Sequence, residues 1–135
     1  MKKMWLICLL LCMIAAGAFT QGIDNPQILR ELGLKEEEII RIMKIQGETE
    51  KVKREAQIEL NLYKAQLEKI LFSPDVDLEE VEKILRASME WKLKSELAEI
   101  GRRVEIRKIM GEERWEKFLR VLKMRRQKPK SPQSH

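Results

Sequence analysis

The sequence predicts an all-α fold, a long antiparallel helical hairpin with short flanking helices. Three observations predict it. Apolar residues recur in steps of three and four over two long segments, which is the helical period. The two segments are free of proline and are separated by the breaker "SPDVDLEE" at 73–80. Charged residues make up 36% of the chain, and many are spaced as Glu followed four residues later by Lys or Arg. The 135 residues suffice for one domain.

The first segment stands apart. "MKKMWLICLLLCMIAAGAFTQG" opens with Lys2 and Lys3, runs apolar from Met4 to about Phe19, and carries Ala16 and Ala18. A basic start, an apolar stretch and an A-x-A site have the layout of a secretory signal, expected to be cleaved after Ala18. An uncleaved anchor is the alternative, although the run is short against the roughly 20 residues of a full span. Lipidation at Cys12 is a further alternative, disfavoured by the bulky Leu11 before it. The domain plan is therefore a signal peptide at 1–18, a polar leader at 19–25, a helical-hairpin domain at 26–125 and a disordered basic tail at 126–135. Cys8 and Cys12 both lie in the signal, so the mature chain is expected to have no disulfide and no thiolate metal site.

Asn25-Pro26 starts a short helix, "PQILREL", which Gly33 ends. The first long helix is expected at about 36–72. Its buried stripe is Ile39, Ile42, Ile45, Val52, Ala56, Leu60, Tyr63, Leu67 and Ile70, with one gap of seven around Thr49. Gly47 is a weak point and a candidate bend. Pro74 ends this helix. Asp77 with Glu80 resembles a capping box for the second, at about 78–110. The stripe expected to be buried there is Val81, Leu85, Met89, Leu93, Leu97, Ile100 and Val104. Gly101 is its weak point. A third helix at about 112–125 brings Trp115, Phe118, Leu119 and Leu122 to one face. Two helices with one stripe each leave apolar area uncovered, so a second copy or a bound partner is expected to complete the burial.

Two stretches repeat one another. In "LKEEEIIRIM" (34–43) and "MGEERWEKFL" (110–119), Leu34 aligns with Met110, Glu36 and Glu37 with Glu112 and Glu113, Ile39 with Trp115, and Ile42 with Phe118. Both are helix starts. An apolar residue precedes the helix, and acids fill the first turn, where free N–H groups and the macrodipole favour negative charge. Apolar residues then fold back as a staple. Gly111 is an acceptable N-cap and Lys35 a poor one.

On these residues the chain resembles the exported helical-hairpin proteins of the Spy/CpxP type, a group that includes periplasmic heavy-metal sensor-like proteins. That family carries two Leu-Thr-x-x-Gln helix starts on either side of a long hairpin. The matching positions are Leu34-Lys35-Glu36-Glu37-Glu38 and Met110-Gly111-Glu112-Glu113-Arg114, and neither Thr nor Gln is kept. The order of signal, acidic helix start, long helix, "SPD" turn, second long helix and second start also agrees, over about 29–122. The resemblance implies a curved antiparallel homodimer in the periplasm. It implies an ATP-independent chaperone, an envelope-stress modulator or a metal-responsive protein.

The residues exclude several chemistries. The one histidine, His135, is at the end of the chain, and neither a Ser/His/Asp nor a Cys/His arrangement can be assembled. No phosphate loop is present. Glu36, Glu37 and Glu38, and the pair Glu79 and Glu80, are accounted for by helix starts. The protein is therefore expected not to be an enzyme and to need no cofactor. Without convergent His or Cys no metal site is expected, and scattered Met residues do not make a Cu(I) site.

Charge is uneven. Residues 23–113 carry 17 Lys and Arg against 21 Asp and Glu, whereas 114–130 carry 8 basic residues against Glu116 alone. With export expected, this basic segment points to anionic lipid or an acidic polypeptide rather than nucleic acid.

The candidate client-binding residues are Ile40, Ile58, Leu62, Met89, Trp91, Trp115 and Phe118, with Arg102, Arg103 and Arg107 to steer acidic clients. The expected function is that of a periplasmic ATP-independent chaperone, or envelope-stress binding protein, which holds unfolded envelope proteins. The alternative is an envelope adaptor that docks through its basic C-terminal segment on an anionic membrane surface or a periplasmic sensor domain. A metal-responsive periplasmic protein is the third reading.

Overall fold

The N-terminal helix α1 (Pro26–Glu31) starts on Asn25, whose side chain accepts from Gln27 N–H at 3.0 Å. The computed structural model describes residues 25–127. The expected signal peptide, the leader up to residue 24 and the chain beyond 127 lie outside them. Three helices follow: α2 (Glu36–Leu71), α3 (Leu78–Met110) and α4 (Glu112–Gln127). Arg126 and Gln127, expected in the basic tail, belong to α4. No described helix is long and apolar enough to cross a membrane.

α2 and α3 form the expected hairpin, and at 36 and 33 residues each is about 50 Å long. α2 runs unbroken through Gly47, and α3 through Gly101. The turn between them closes by Phe72 N–H to Glu68 O at 3.1 Å and Ser73 N–H to Ile70 O at 3.0 Å. Asp77 then caps α3, accepting from the N–H groups of Glu79 at 2.9 Å and Glu80 at 3.4 Å. The described chain divides into two compact units. One runs up to Met43 and resumes at Arg107; the other is Lys44–Ile106.

In the first unit the two helix starts meet. Leu29, Leu34, Ile39, Ile42, Met110 and Phe118 are buried and supply its core. α1 ends in a Schellman motif: Leu34 N–H donates to Leu29 O at 3.1 Å and Gly33 N–H to Arg30 O at 2.9 Å. Gly33 has φ +83°, which the motif requires. Leu34 then precedes the N-cap Lys35, and Ile39 is the N4 residue; both are buried, as a hydrophobic staple requires. α3 ends on Gly111 with φ +74°, whose N–H donates to Arg107 O at 3.0 Å. The same glycine starts α4, its carbonyl accepting from Trp115 N–H at 3.0 Å.

In the second unit the stripe expected on α2 does face inward: Ala56 is buried, and Val52, Leu60, Tyr63, Leu67 and Ile70 are half-buried. The stripe expected on α3 does not. Leu85, Met89, Leu93, Leu97, Ile100 and Val104 are all exposed, and only Val81 is half-buried. The inner face of α3 is instead Ile84, Trp91, Ser95, Ala98, Arg102 and Ile106, buried or half-buried. At about 100° per residue the two faces of α3 are centred roughly 165° apart. Both have helical spacing, so spacing alone could not choose between them. The inner face carries more small side chains, which let a neighbouring helix approach.

Candidate functional site

The second unit presents two outward faces that combine apolar groups with an ordered charge pattern. On α2, Lys51, Arg54, Ile58, Leu62, Ala65 and Lys69, with Phe72 just past its end, all project within about 40° of one direction and are exposed. Phe72 is 89% exposed. Lys51, Arg54 and Lys69 make no ion pair among the described residues. This face therefore offers apolar contact and unneutralised positive charge along roughly 30 Å of helix. On α3 lies the uncovered stripe from Leu85 to Val104, in which each of the six apolar residues is 45–68% exposed.

A shallow groove of about 350 Å³ lies between the helices next to the turn, lined by Gln66, Lys69, Ile70, Ser73, Glu80 and Ile84. Its Lys69 borders the cationic face of α2. Leu71, Val76 and Leu78 around it are exposed as well. The groove and this apolar tip continue the α2 face toward the turn.

Between the helices of the same unit runs a buried polar layer that sequence reasoning missed. Gln46, Thr49, Glu99 and Arg102 are all buried, Arg102 to 1% exposure. Arg102 Nη1 donates to Gln46 Oε1 at 2.5 Å, and Arg102 Nη2 donates to Glu99. Glu99 also faces Lys53 Nζ at 3.8 Å and Arg103 Nε at 3.5 Å. The signal was present as the seven-residue gap between Ile45 and Val52. Gln46 and Thr49 fill that gap on the buried face.

The first unit holds its two helix starts together through one arginine. Arg114 bonds Glu38 twice, each at 2.9 Å, and donates to Gly33 O at 3.3 Å. It also donates to the end carbonyls of α3, Met110 O at 2.5 Å and Ile109 O at 3.2 Å. Glu38 in turn accepts from Lys35 N–H at 2.8 Å, as the N3 acid of a capping box does. The Arg114 guanidinium, with help from Lys35 N–H, holds the Glu38 carboxyl down at about 2. Glu38 and Arg114 are equivalent positions of the repeat. The repeat extends to the first acid of each start: Glu36 pairs with Arg30 at 2.6 Å, and Glu112 pairs with Arg107.

The sequence-predicted site residues divide accordingly. Ile58 and Leu62 lie on the α2 face, and Met89 on the α3 stripe. Ile40 is exposed in the first unit. Trp91 is half-buried on the inner side of α3, with Lys94 Nζ 4.4 Å from its ring centre. Phe118 and Arg102 are corrections, because neither has surface to offer a client. Phe118 is fully buried beside Trp115, with ring centres 5.8 Å apart, and Arg102 belongs to the polar layer. Arg103 and Arg107 are partly exposed but engaged with Glu99 and Glu112. The basic residues that face outward without acids, Lys51, Arg54 and Lys69, were not singled out from the sequence. Among the described residues no three His, Cys, Asp or Glu side chains gather as metal ligands would. Comparison with protein families, with curated proteins and with solved structures finds no match.

Proposed function

We propose that the protein is an exported, ATP-independent chaperone that holds unfolded polypeptides on the outer face of α2. The carrying observation is that face: Ile58, Leu62 and Phe72 exposed among Lys51, Arg54 and Lys69, with no acid among them. Unfolded chains expose short apolar runs, and an apolar strip edged with positive charge captures those that also carry acids. Long side chains on a helix can adapt to many sequences, which suits a client of no fixed structure. The resemblance to exported helical-hairpin proteins and the signal-like N-terminus support a periplasmic location.

The test is aggregation of an unfolded model substrate, followed by light scattering without ATP. The protein should suppress aggregation at near-stoichiometric ratio. Ile58→Glu with Leu62→Glu should weaken suppression about tenfold while leaving helix content unchanged, because both side chains are exposed. An equally active variant would remove the α2 face from the reading. No suppression, with salt-sensitive binding to anionic vesicles lost on removal of 114–130, would favour the adaptor. α4 supports that second reading by exposing Lys123, Arg125 and Arg126 in its last turns.

A further inference from the structure

The turn that joins α2 to α3 carries more apolar surface than a chain reversal needs. Turn residues are usually small or polar. Here Leu71, Phe72 and Leu78 are large and exposed, Leu78 to 76%. Val76 has a local role: it sits at N′ of α3, before the cap Asp77, with half-buried Val81 at N4, the staple positions. The other three are left to face water. We infer that the hairpin tip is a docking site for a short, basic and apolar segment of a partner protein.

Charge selects that partner. Residues 71–82 carry Asp75, Asp77, Glu79, Glu80 and Glu82 and no base. Glu79 and Glu82 are paired within α3, with Lys83 at 3.1 Å and Arg86 at 2.7 Å. Asp77 is occupied as the cap. Asp75 and Glu80 make no ion pair among the described residues. Glu80 lines the groove together with Ile70 and Ile84, and Lys69 on the α2 wall leaves the acids in excess. Apolar contact beside unneutralised carboxylates matches a large apolar side chain next to Lys or Arg. The outer face of α2 has the opposite sign, so the two surfaces select different segments. An anionic bilayer is disfavoured by the same acids.

Shape sets the size of the partner. The groove, of about 350 Å³, has room for one large side chain. The end of a two-helix hairpin is roughly 20 Å across. That width spans about six extended residues rather than the face of a folded domain. The tip is also ordered before docking. Phe72 and Ser73 N–H groups close the end of α2, Ser73 Oγ donates to Asp75 O at 3.3 Å, and Pro74 fixes its own φ. Little conformational freedom is then lost on binding.

Fluorescence anisotropy with the purified chain and three short labelled peptides tests the site. One peptide has Leu and Phe among Lys residues. The second replaces each Lys by Glu, and the third replaces Leu and Phe by Ser. The first should bind about tenfold more tightly than either control, and more weakly as salt rises. Asp75→Asn with Glu80→Gln should cost about tenfold and remove most of the salt dependence. Leu78→Ser should cost a similar factor. Helix content should be retained in both variants, because these side chains are exposed. Equal binding of the three peptides overturns the inference, and so does unchanged binding by both variants. Variants that instead change the sedimentation of the chain alone assign the tip to a second copy and overturn it too. The site does not rest on the role given to α2. Ile58→Glu with Leu62→Glu should leave peptide binding intact, and Asp75→Asn with Glu80→Gln should leave aggregation suppression intact. Suppression lost with the tip acids would make the tip part of the client surface and overturn a separate site.

Discussion

At the residue scale, Gly111 and the pair of Arg114 with Glu38 carry more than their composition suggests. Gly111 has φ +74°, a conformation that costs an L-residue about 1–2 kcal/mol, although a Cβ there would meet open space. Gly111→Ala should therefore destabilise the fold by about that amount, read from chemical unfolding. Arg114 and Glu38 join the two helix starts, and the acid titrates at about 2 in the fold against 4.5 unperturbed. Its folded value is lowered, so its contribution is complete above pH 4.5 and is lost as pH falls from there through 2. Glu38→Gln should flatten the fall of the thermal midpoint between pH 4.5 and 2. An unchanged acid slope would mean that the pair is not formed in solution. The sequence located both residues by aligning the two helix starts. It could not show that aligned residues touch, because 76 positions separate them along the chain.

At the element scale, the long helices combine a soft backbone with a specifying core. Gly47 and Gly101 are helical and exposed, and a Cβ at either meets nothing within 4 Å. Gly47→Ala and Gly101→Ala should each stabilise by roughly 0.5–1 kcal/mol, measured by thermal unfolding. Arg102 is the reverse case. Removing it as Arg102→Ala leaves Gln46 without its donor and Glu99 with fewer cations, and should cost about 3 kcal/mol. A change below about 1 kcal/mol would show that the layer is hydrated and weak. The buried Arg, Glu and Gln also fix which turns of α2 and α3 face one another. An all-apolar seam of this length could slip by a heptad.

At the scale of the whole molecule, the hairpin has more apolar surface than it can bury. Six side chains of α3, Ile58 and Leu62 of α2, and Phe72 just after it remain outside. Such surface on a small chain leads to association, client capture or aggregation. Association through this surface would make stability depend on concentration, since it is linked to folding by mass action. The thermal midpoint should rise by several degrees for each tenfold increase in protein concentration, and Leu93→Glu with Leu97→Glu should abolish that dependence. A midpoint independent of concentration in the unmodified chain would argue that the stripe stays uncovered.

The sequence by itself determined the helices, their ends and their order. Those depend on local chemistry: proline at 74, aspartate at 77, glycines at 33 and 111, and acids in the first turns of α2, α3 and α4. It also determined the buried stripe of α2, whose apolar residues recur at helical spacing from Ile39 to Ile70. Tertiary structure alone decided which of two apolar faces of α3 turned inward, because helical spacing is satisfied by both. It alone placed Arg102 inside, since a buried cation is tolerated only where Glu99 and Gln46 converge on it. It also placed Phe118 in the core, fully buried beside Trp115. Local periodicity fixes where a helix exists; partner shape and charge fix which side of it faces water.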